Sequence, residues 1–323
     1  MAEYYRRFLT PSTGIPAPEA MIDEPQTIDF DNIQAWRHKN NLESIAQLTS
    51  LFKPCVCYEP LMSIRTTNVM LESEGRQLPI RVYLPEGEGP FPVMVFYHGG
   101  AWTMNNLDVY DHLPRYFAKF GKVLVVTPEY RLAPEHVFPQ GLEDAYAALE
   151  WAFEHSADLG GDPHDLTVCG DSSGGNFATV VSAMSRDRKG PVIKRQILLY
   201  AAVCLKMQYR PESELRFGNG GYFLDMNTVE GLCPWYVERE EDLLHPYVSP
   251  LLASNLSNLP PASFFCGDCD PLLDQNLMYA AKLEDAGNQV DFSVIPGMIH
   301  AYLNRPYQKT FETFNAIINK IHY

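Results

Sequence analysis

The sequence predicts an α/β protein, a mostly parallel, doubly wound sheet with a helical cap. Three observations carry that prediction. From about residue 63 onward, strand-sized and helix-sized segments alternate along the chain. The later strand-sized segments are short, continuous apolar runs, as strands covered on both faces require. Two stretches, residues 1–52 and 206–245, stand outside the alternation and supply the material of a cap.

The elements follow in chain order. Residues 1–52 hold a Pro-rich lead and one helical stretch, expected to begin at a cap on Asp31. Ile64–Leu71 and Leu78–Leu84 alternate polar with apolar and are joined by Glu72-Ser73-Glu74-Gly75, as in an antiparallel edge hairpin. The buried strands are expected at Pro92–Tyr97, Val123–Thr127, Leu166–Cys169, Gln196–Leu199, Ser263–Cys266 and Val290–Val294. Helices are expected at Pro139–His155, at Leu272–Ala286 closed by Gly287, and at Thr310–Ile321, each with apolar residues on a helical period. Residues 206–245 carry Arg216-Phe217-Gly218-Asn219-Gly220-Gly221-Tyr222-Phe223 and the pair Trp235-Tyr236. An aromatic-rich insertion after the carboxyl end of a strand is where a lid sits. The expected organisation is therefore an N-terminal cap segment at 1–52, a core at 53–323, and a second cap segment inserted at about 206–245.

Composition narrows the function classes. Of 323 residues, 46% are hydrophobic and 12% aromatic, which excludes a disordered or fibrous chain. Lys plus Arg number 25 against 40 Asp plus Glu, a net charge of -15. Such a surface repels phosphate backbones and anionic lipid heads, so neither nucleic acid nor a membrane surface is expected as a partner. The opening MAEYYRRFLTPSTG has no apolar core of the signal-peptide kind, and no run approaches the roughly 18 apolar residues of a membrane span. A cytoplasmic protein is expected. Seven cysteines, an odd number, do not form a disulfide framework. Cys55-x-Cys57 and Cys266-x-x-Cys269 lie too far apart in sequence for a convincing zinc site, so free thiols and no metal are expected.

Two glycine motifs carry the chemistry. Gly170-Asp171-Ser172-Ser173-Gly174-Gly175 directly follows the apolar run Leu166–Cys169 and leads into a helix-competent stretch. Strand, sharp turn and helix make G-x-S-x-G a nucleophile elbow, in which small neighbours let the serine take a strained turn. Only Ser172 has glycine at both -2 and +2, so Ser172 rather than Ser173 is the expected nucleophile. The same letters occur in chymotrypsin-like proteases, but those are all-β and place His and Asp before the serine. His98-Gly99-Gly100-Ala101-Trp102 ends another strand. Its glycines leave amides free to face a bound oxygen, so Gly99 and Gly100 are expected oxyanion donors together with the Ser173 amide. His98 itself is expected to hold the loop.

These motifs, with Tyr130-Arg131-Leu132-Ala133-Pro134-Glu135-His136, His245-Pro246-Tyr247-Val248-Ser249-Pro250-Leu251, Asp270-Pro271-Leu272 and Gly297-Met298-Ile299-His300, resemble the hormone-sensitive-lipase family of α/β-hydrolase esterases. The resemblance runs from about residue 80 to 300. It implies the α/β-hydrolase fold with an eight-stranded sheet, a cap built from the N-terminus and an insertion, and hydrolysis of carboxylic esters without a cofactor. It is also compatible with a homodimer, for which the sequence offers no interface. Two departures bear on substrate preference: Ala101 stands where the family has a third glycine, and His300-Ala301-Tyr302 stands where it has HGF.

The base can be chosen without the family. Of nine histidines, His38 and His112 lie in helical stretches, His155 near a helix end and His322 at the terminus. His98 has been assigned to its loop. His164 occupies a turn before the nucleophile strand, and His136 and His245 neighbour prolines in loops. Only His300 follows a late strand through a Pro-Gly loop and comes after the nucleophile, in the order Ser, acid, His. For the acid, the loop after Ser263–Cys266 offers Asp268, Asp270 and Asp274. Asp270 heads the DPL that matches the family.

The expected activity is a carboxylesterase for short- to medium-chain or aryl esters, a serine hydrolase forming an acyl-enzyme on Ser172. An amidase, deacetylase or lactonase would use the same triad. A non-catalytic binding protein on this fold would normally have lost one of the three side chains, and here all three positions are filled.

Overall fold

A computed structural model describes residue 28, residues 32–73 and residues 75–322. The lead before residue 28, the cap expected at Asp31, and Glu74 of the hairpin turn lie outside the described residues. The first described helix, α1, spans Ile33–Phe52 and is capped by Asn32, whose Oδ1 accepts the Ala35 amide at 3.4 Å.

Eight strands form one sheet: β1 Arg65–Ser73, β2 Arg76–Leu84, β3 Phe91–Tyr97, β4 Leu124–Pro128, β5 Gly161–Asp171, β6 Arg195–Leu199, β7 Ala262–Gly267 and β8 Val290–Ile295. Their order is β1-β2-β4-β3-β5-β6-β7-β8. β2 runs antiparallel to both neighbours, and the other pairs are parallel. β5 starts five residues before the expected Leu166, because Gly161 pairs with Phe91 across an irregularity in β3. The remaining helices are α2 Tyr58–Met62, α3 His112–Gly121, α4 Gln140–His155, α5 Ser173–Arg188, α6 Glu212–Phe217, α7 Met226–Tyr236, α8 Leu273–Asp285 and α9 Gln308–His322. Gly287, at φ +87°, follows α8 and returns its amide to the Glu284 carbonyl at 2.9 Å, the left-handed stop that glycine adopts freely.

The continuous apolar runs are explained by two cores. Along β3, Val93, Val95 and Tyr97 face one side with Leu142 and Ala145 of α4 and Phe177 of α5. Met94 and Phe96 face the other with Leu113 and Phe117 of α3 and Phe314 and Ile317 of α9. Each such side chain contributes about 1.5–3 kcal/mol on burial, so both faces of the strand must be apolar. After β3 the chain moves to β4 on one side, then returns to β5 on the other. That reversal opens a crevice beyond the carboxyl ends of β3 and β5, where ligands bind in open α/β sheets.

Two segments cover this crevice. Arg37 of α1 donates to the carbonyls of Thr103 and Ala133 at 2.7 and 2.9 Å and forms a two-bond pair with Glu135. In the insertion, Ser213 Oγ donates to the Pro271 carbonyl at 2.9 Å, and the Ser213 amide donates to Asp274 at 2.9 Å. Among the described residues no helix is long and apolar enough to cross a membrane.

Candidate active site

The site begins with a turn only glycine permits. Ser172 follows β5 at φ 54° and ψ -118°, a sparsely populated conformation for a side-chain-bearing residue. A Cβ on Gly170 would lie 2.2 Å from the Gly174 carbonyl oxygen, and one on Gly174 would lie 2.0 Å from that of Tyr97. Glycine at -2 and +2 is thus a steric requirement of the close approach between elbow and strand. The turn is held by the Ser172 amide donating to the Leu199 carbonyl at 2.9 Å, and α5 starts at once with Ser173.

His300 Nε2 lies 3.0 Å from Ser172 Oγ, and His300 Nδ1 lies 2.9 Å from Asp270 Oδ2. Both His300 and Asp270 are buried. The second Asp270 oxygen accepts the Leu272 amide at 2.8 Å, which fixes the carboxylate plane. The acid and histidine loops meet because β7 and β8 are neighbours in register, Gly267 opposite Ile295. The Cys269 amide then donates to the Met298 carbonyl at 3.0 Å. The other two acids have different work. Asp268 Oδ1 accepts the Gly297 amide at 2.7 Å and so shapes the turn before His300. Asp274 holds the insertion.

The oxyanion expectation needs one correction. The Gly99 amide donates to Asp171 Oδ1 at 2.7 Å and is engaged inside the protein, so it does not face the cavity. A single N–H makes one good bond, and a buried carboxylate is the stronger claimant. Gly100, Ala101 and Ser173 do line the cavity, and their amides donate to no group among the described residues. Gly100 and Ala101 lie at φ 134° and 49°.

Asp171 is the residue that motif reading passed over as a variable letter. Its second oxygen accepts the Tyr110 hydroxyl at 2.8 Å. Burial pushes its carboxyl up to about 6, with the Tyr110 and Gly99 bonds and the nearby His300 pulling the other way. His98 holds the same loop: its Nδ1 lies 2.8 Å from the Gly99 carbonyl, and its ring stacks on Tyr130 at 4.3 Å. Burial lowers its pKa to about 4, so it stays neutral. The Tyr130 hydroxyl donates to the His98 carbonyl at 2.6 Å, and Arg131 is bound to Asp144. The Tyr130–His136 motif thus braces the loop from below, and its Glu135 receives Arg37 of α1.

A cavity of about 700 Å³ opens over Ser172 and His300. Trp36, Asn40 and Leu48 of α1 form part of its wall, and Phe223, Met226 and Leu232 of the insertion form another. Among the described residues no cluster of His, Cys, Asp and Glu is placed to hold a metal ion.

Residues 94–304 match the alpha/beta hydrolase fold family. The chain is 38% identical over 231 residues to the carboxylesterase NlhH of Mycobacterium tuberculosis, covering 70% of this chain and 72% of that protein. It is 33% identical over 242 residues to an arylesterase of Saccharolobus solfataricus, covering 75% and 78%. Among solved structures, an esterase of Pyrobaculum calidifontis superposes with a TM-score of 0.82 at 32% identity, over 92% of this chain and 94% of that one. The chain belongs to the α/β-hydrolase fold family, on its hormone-sensitive-lipase-like branch of carboxylesterases.

Proposed function

We propose that the protein is a carboxylesterase acting on short- to medium-chain or aryl esters through Ser172, His300 and Asp270. The observation that carries this reading is the unbroken hydrogen-bonded line Ser172 Oγ–His300–Asp270 on the floor of the cavity.

In this reading His300 takes the Ser172 proton as Oγ attacks the ester carbonyl. Asp270 fixes the imidazole tautomer and stabilises the imidazolium. The carbonyl oxygen becomes an oxyanion bound by the amides of Gly100, Ala101 and Ser173, each donor worth about 3 kcal/mol in the transition state. The imidazolium returns its proton to the departing alcohol, leaving an acyl group on Ser172. Water, deprotonated by His300, then attacks the acyl carbon, and the imidazolium returns that proton to Ser172 Oγ as the acid is released. Ala101 serves where the family has glycine because only its amide faces the oxygen, and a methyl group is tolerated at φ 49° at modest strain.

We assign residues 1–52 and 206–245 to one cap, on the support that Trp36, Asn40 and Leu48 of the first and Phe223, Met226 and Leu232 of the second line the cavity. The cytoplasm is the compartment we assign, since all seven cysteines are free thiols and suit a reducing interior. The test is a panel of p-nitrophenyl esters beside matching anilides, with labelling by a serine-directed phosphonate. Ester turnover and stoichiometric labelling, both lost in Ser172→Ala, are expected. Anilide turnover exceeding ester turnover would replace the esterase with an amidase, and absence of labelling would point to a binding protein.

A further inference from the structure

One cysteine motif has no part in the hydrolytic machinery. Cys55-Val56-Cys57 occupies the short link between α1, which ends at Phe52, and α2, which begins at Tyr58. Of the seven cysteines, Cys169, Cys204, Cys233, Cys266 and Cys269 are buried, and only Cys55 and Cys57 are partly exposed. Val56 between them is 97% exposed, so the link lies open to solvent. A thiol reagent in solution therefore meets this pair first.

The backbone holds the two cysteines together. The Cys55 amide donates to the Phe52 carbonyl at 2.8 Å and the Tyr58 amide to the Cys55 carbonyl at 3.0 Å, so the chain turns over residues 55–58. Two residues span at most about 7 Å when fully extended, and a turn shortens that span. A disulfide closes when the two Cα atoms stand roughly 4.4–6.8 Å apart. The thiols already lie close enough to interact side chain to side chain. Cys55 Sγ donates to the Leu51 carbonyl at 3.8 Å, which ties it to the last turn of α1, while Cys57 packs against the core that includes α3 and α9. Among the described residues no third His, Cys, Asp or Glu joins the pair, so a tetrahedral metal site is not completed. The chemistry open to two touching, accessible thiols is oxidation.

We propose that Cys55 and Cys57 form a redox site that closes to a disulfide by exchange with a small-molecule disulfide such as oxidised glutathione, and that closure re-seats α1. One thiol loses its proton to solvent and attacks a sulfur of the small disulfide. That S–S bond breaks, a mixed disulfide forms, and one small thiol leaves with a proton. The neighbouring thiolate then attacks the protein sulfur of the mixed disulfide, forming Cys55–Cys57 and releasing the second small thiol. The protein gives up two hydrogens and two electrons, and the small disulfide takes up both. The second step is intramolecular and so outruns attack by another small thiol. Drawing the sulfurs from contact to a bond of about 2.05 Å moves the turn at the foot of α1. Trp36, Asn40 and Leu48 of that helix form a wall of the cavity over Ser172, and the helix touches no reacting atom. The effect therefore falls on substrate binding.

The test incubates the full-length protein with oxidised glutathione and reads intact mass, alkylation by iodoacetamide with peptide mapping, and kinetics on p-nitrophenyl acetate. A mass decrease of about 2 Da is expected, with Cys55 and Cys57 both protected from alkylation and the change reversed by dithiothreitol. KM is expected to rise at least threefold with kcat within twofold, again reversibly. Cys55→Ser and Cys57→Ser are each expected to keep wild-type kinetics when reduced and to show no KM response to oxidised glutathione. A stable mixed disulfide in place of the internal one, protection at other cysteines, or an internal disulfide that leaves KM unchanged would overturn the inference. The kinetic readout rests on the esterase reading, and a protein that oxidises as described but hydrolyses no p-nitrophenyl ester when reduced would overturn that reading instead.

Discussion

The amide of Gly99 donates to the carboxylate of Asp171 at 2.7 Å, tying the loop after β3 to the residue just before Ser172. Seventy-two residues separate them, and they meet because Tyr97 and Gly170 are partners across adjacent parallel strands. The bond engages the Gly99 amide inside the protein and leaves the amides of Gly100 and Ala101 for the oxyanion of the proposed mechanism. Asp171→Asn keeps the volume but offers one acceptor oxygen and one NH2 donor to two donors. One of Gly99 or Tyr110 then faces a donor, at a cost of about 1–3 kcal/mol. A fall in kcat of ten- to a hundredfold with KM little changed is expected in steady-state kinetics on p-nitrophenyl acetate. Unaltered kcat would show that the loop holds its position without this bond.

The same carboxyl makes stability depend on pH in an unusual direction. Its pKa rises from 3.8 to about 6 in the folded protein, so the stability it contributes is full below 3.8 and is lost as pH climbs through 6. At about 1.4 kcal/mol per unit this amounts to about 3 kcal/mol. Urea unfolding of wild type and Asp171→Asn at pH 4 and pH 7 is expected to show the wild type gaining about that much, relative to the variant, at the lower pH. A pH-independent difference would contradict the burial of an ionisable group there.

His112 acts in the opposite sense. Burial lowers its pKa from 6.5 to about 4, so its contribution is present above 6.5 and is lost as pH falls through 4. The unfolded chain takes up a proton that the folded one refuses. His112→Phe, which retains a ring against Phe52 (4.8 Å from His112), is expected to lose about 3 kcal/mol less than wild type between pH 7 and pH 4. Parallel acid-unfolding curves for the two proteins would rule this out.

Gly174→Ala brings a methyl group to 2.0 Å from the Tyr97 carbonyl oxygen, with backbone on both sides and no flexible side chain to yield. A loss of at least about 3 kcal/mol is expected, together with activity, because the elbow must move to relieve the clash. Calorimetry showing a melting temperature within a degree or two of wild type would mean the turn is looser than its contacts imply.

Arg37→Ala removes the link between α1 and the loops after β3 and β4 and leaves the Thr103 and Ala133 carbonyls without their donor. Hydrogen exchange in residues 33–52 is expected to accelerate at least tenfold, and KM to rise more than kcat falls, since α1 forms a cavity wall and touches no reacting atom. Protection unchanged along α1 would place its anchorage elsewhere.

Much of this was legible in the residues. Apolar runs located the six later strands, because a strand covered on both faces admits few polar side chains, and polar–apolar alternation located β1 and β2 at the sheet's edge. G-x-S-x-G located the elbow, because no Cβ fits at 170 or 174. Helix starts were less readable: α1 is capped at Asn32, one residue beyond Asp31, since either side chain can accept the same kind of amide.

What the chain order alone determined is which chemistry was available: a serine between glycines after a strand, a late histidine after a Pro-Gly loop, and acids between them. Those are local steric and chemical requirements, and local sequence encodes them. What only the tertiary structure decided is which groups are free to act. Asp270 rather than Asp268 or Asp274 faces His300, and Gly99 is claimed by Asp171, because strand register brings distant residues within 3 Å and a hydrogen-bonding group engaged by one partner is lost to another.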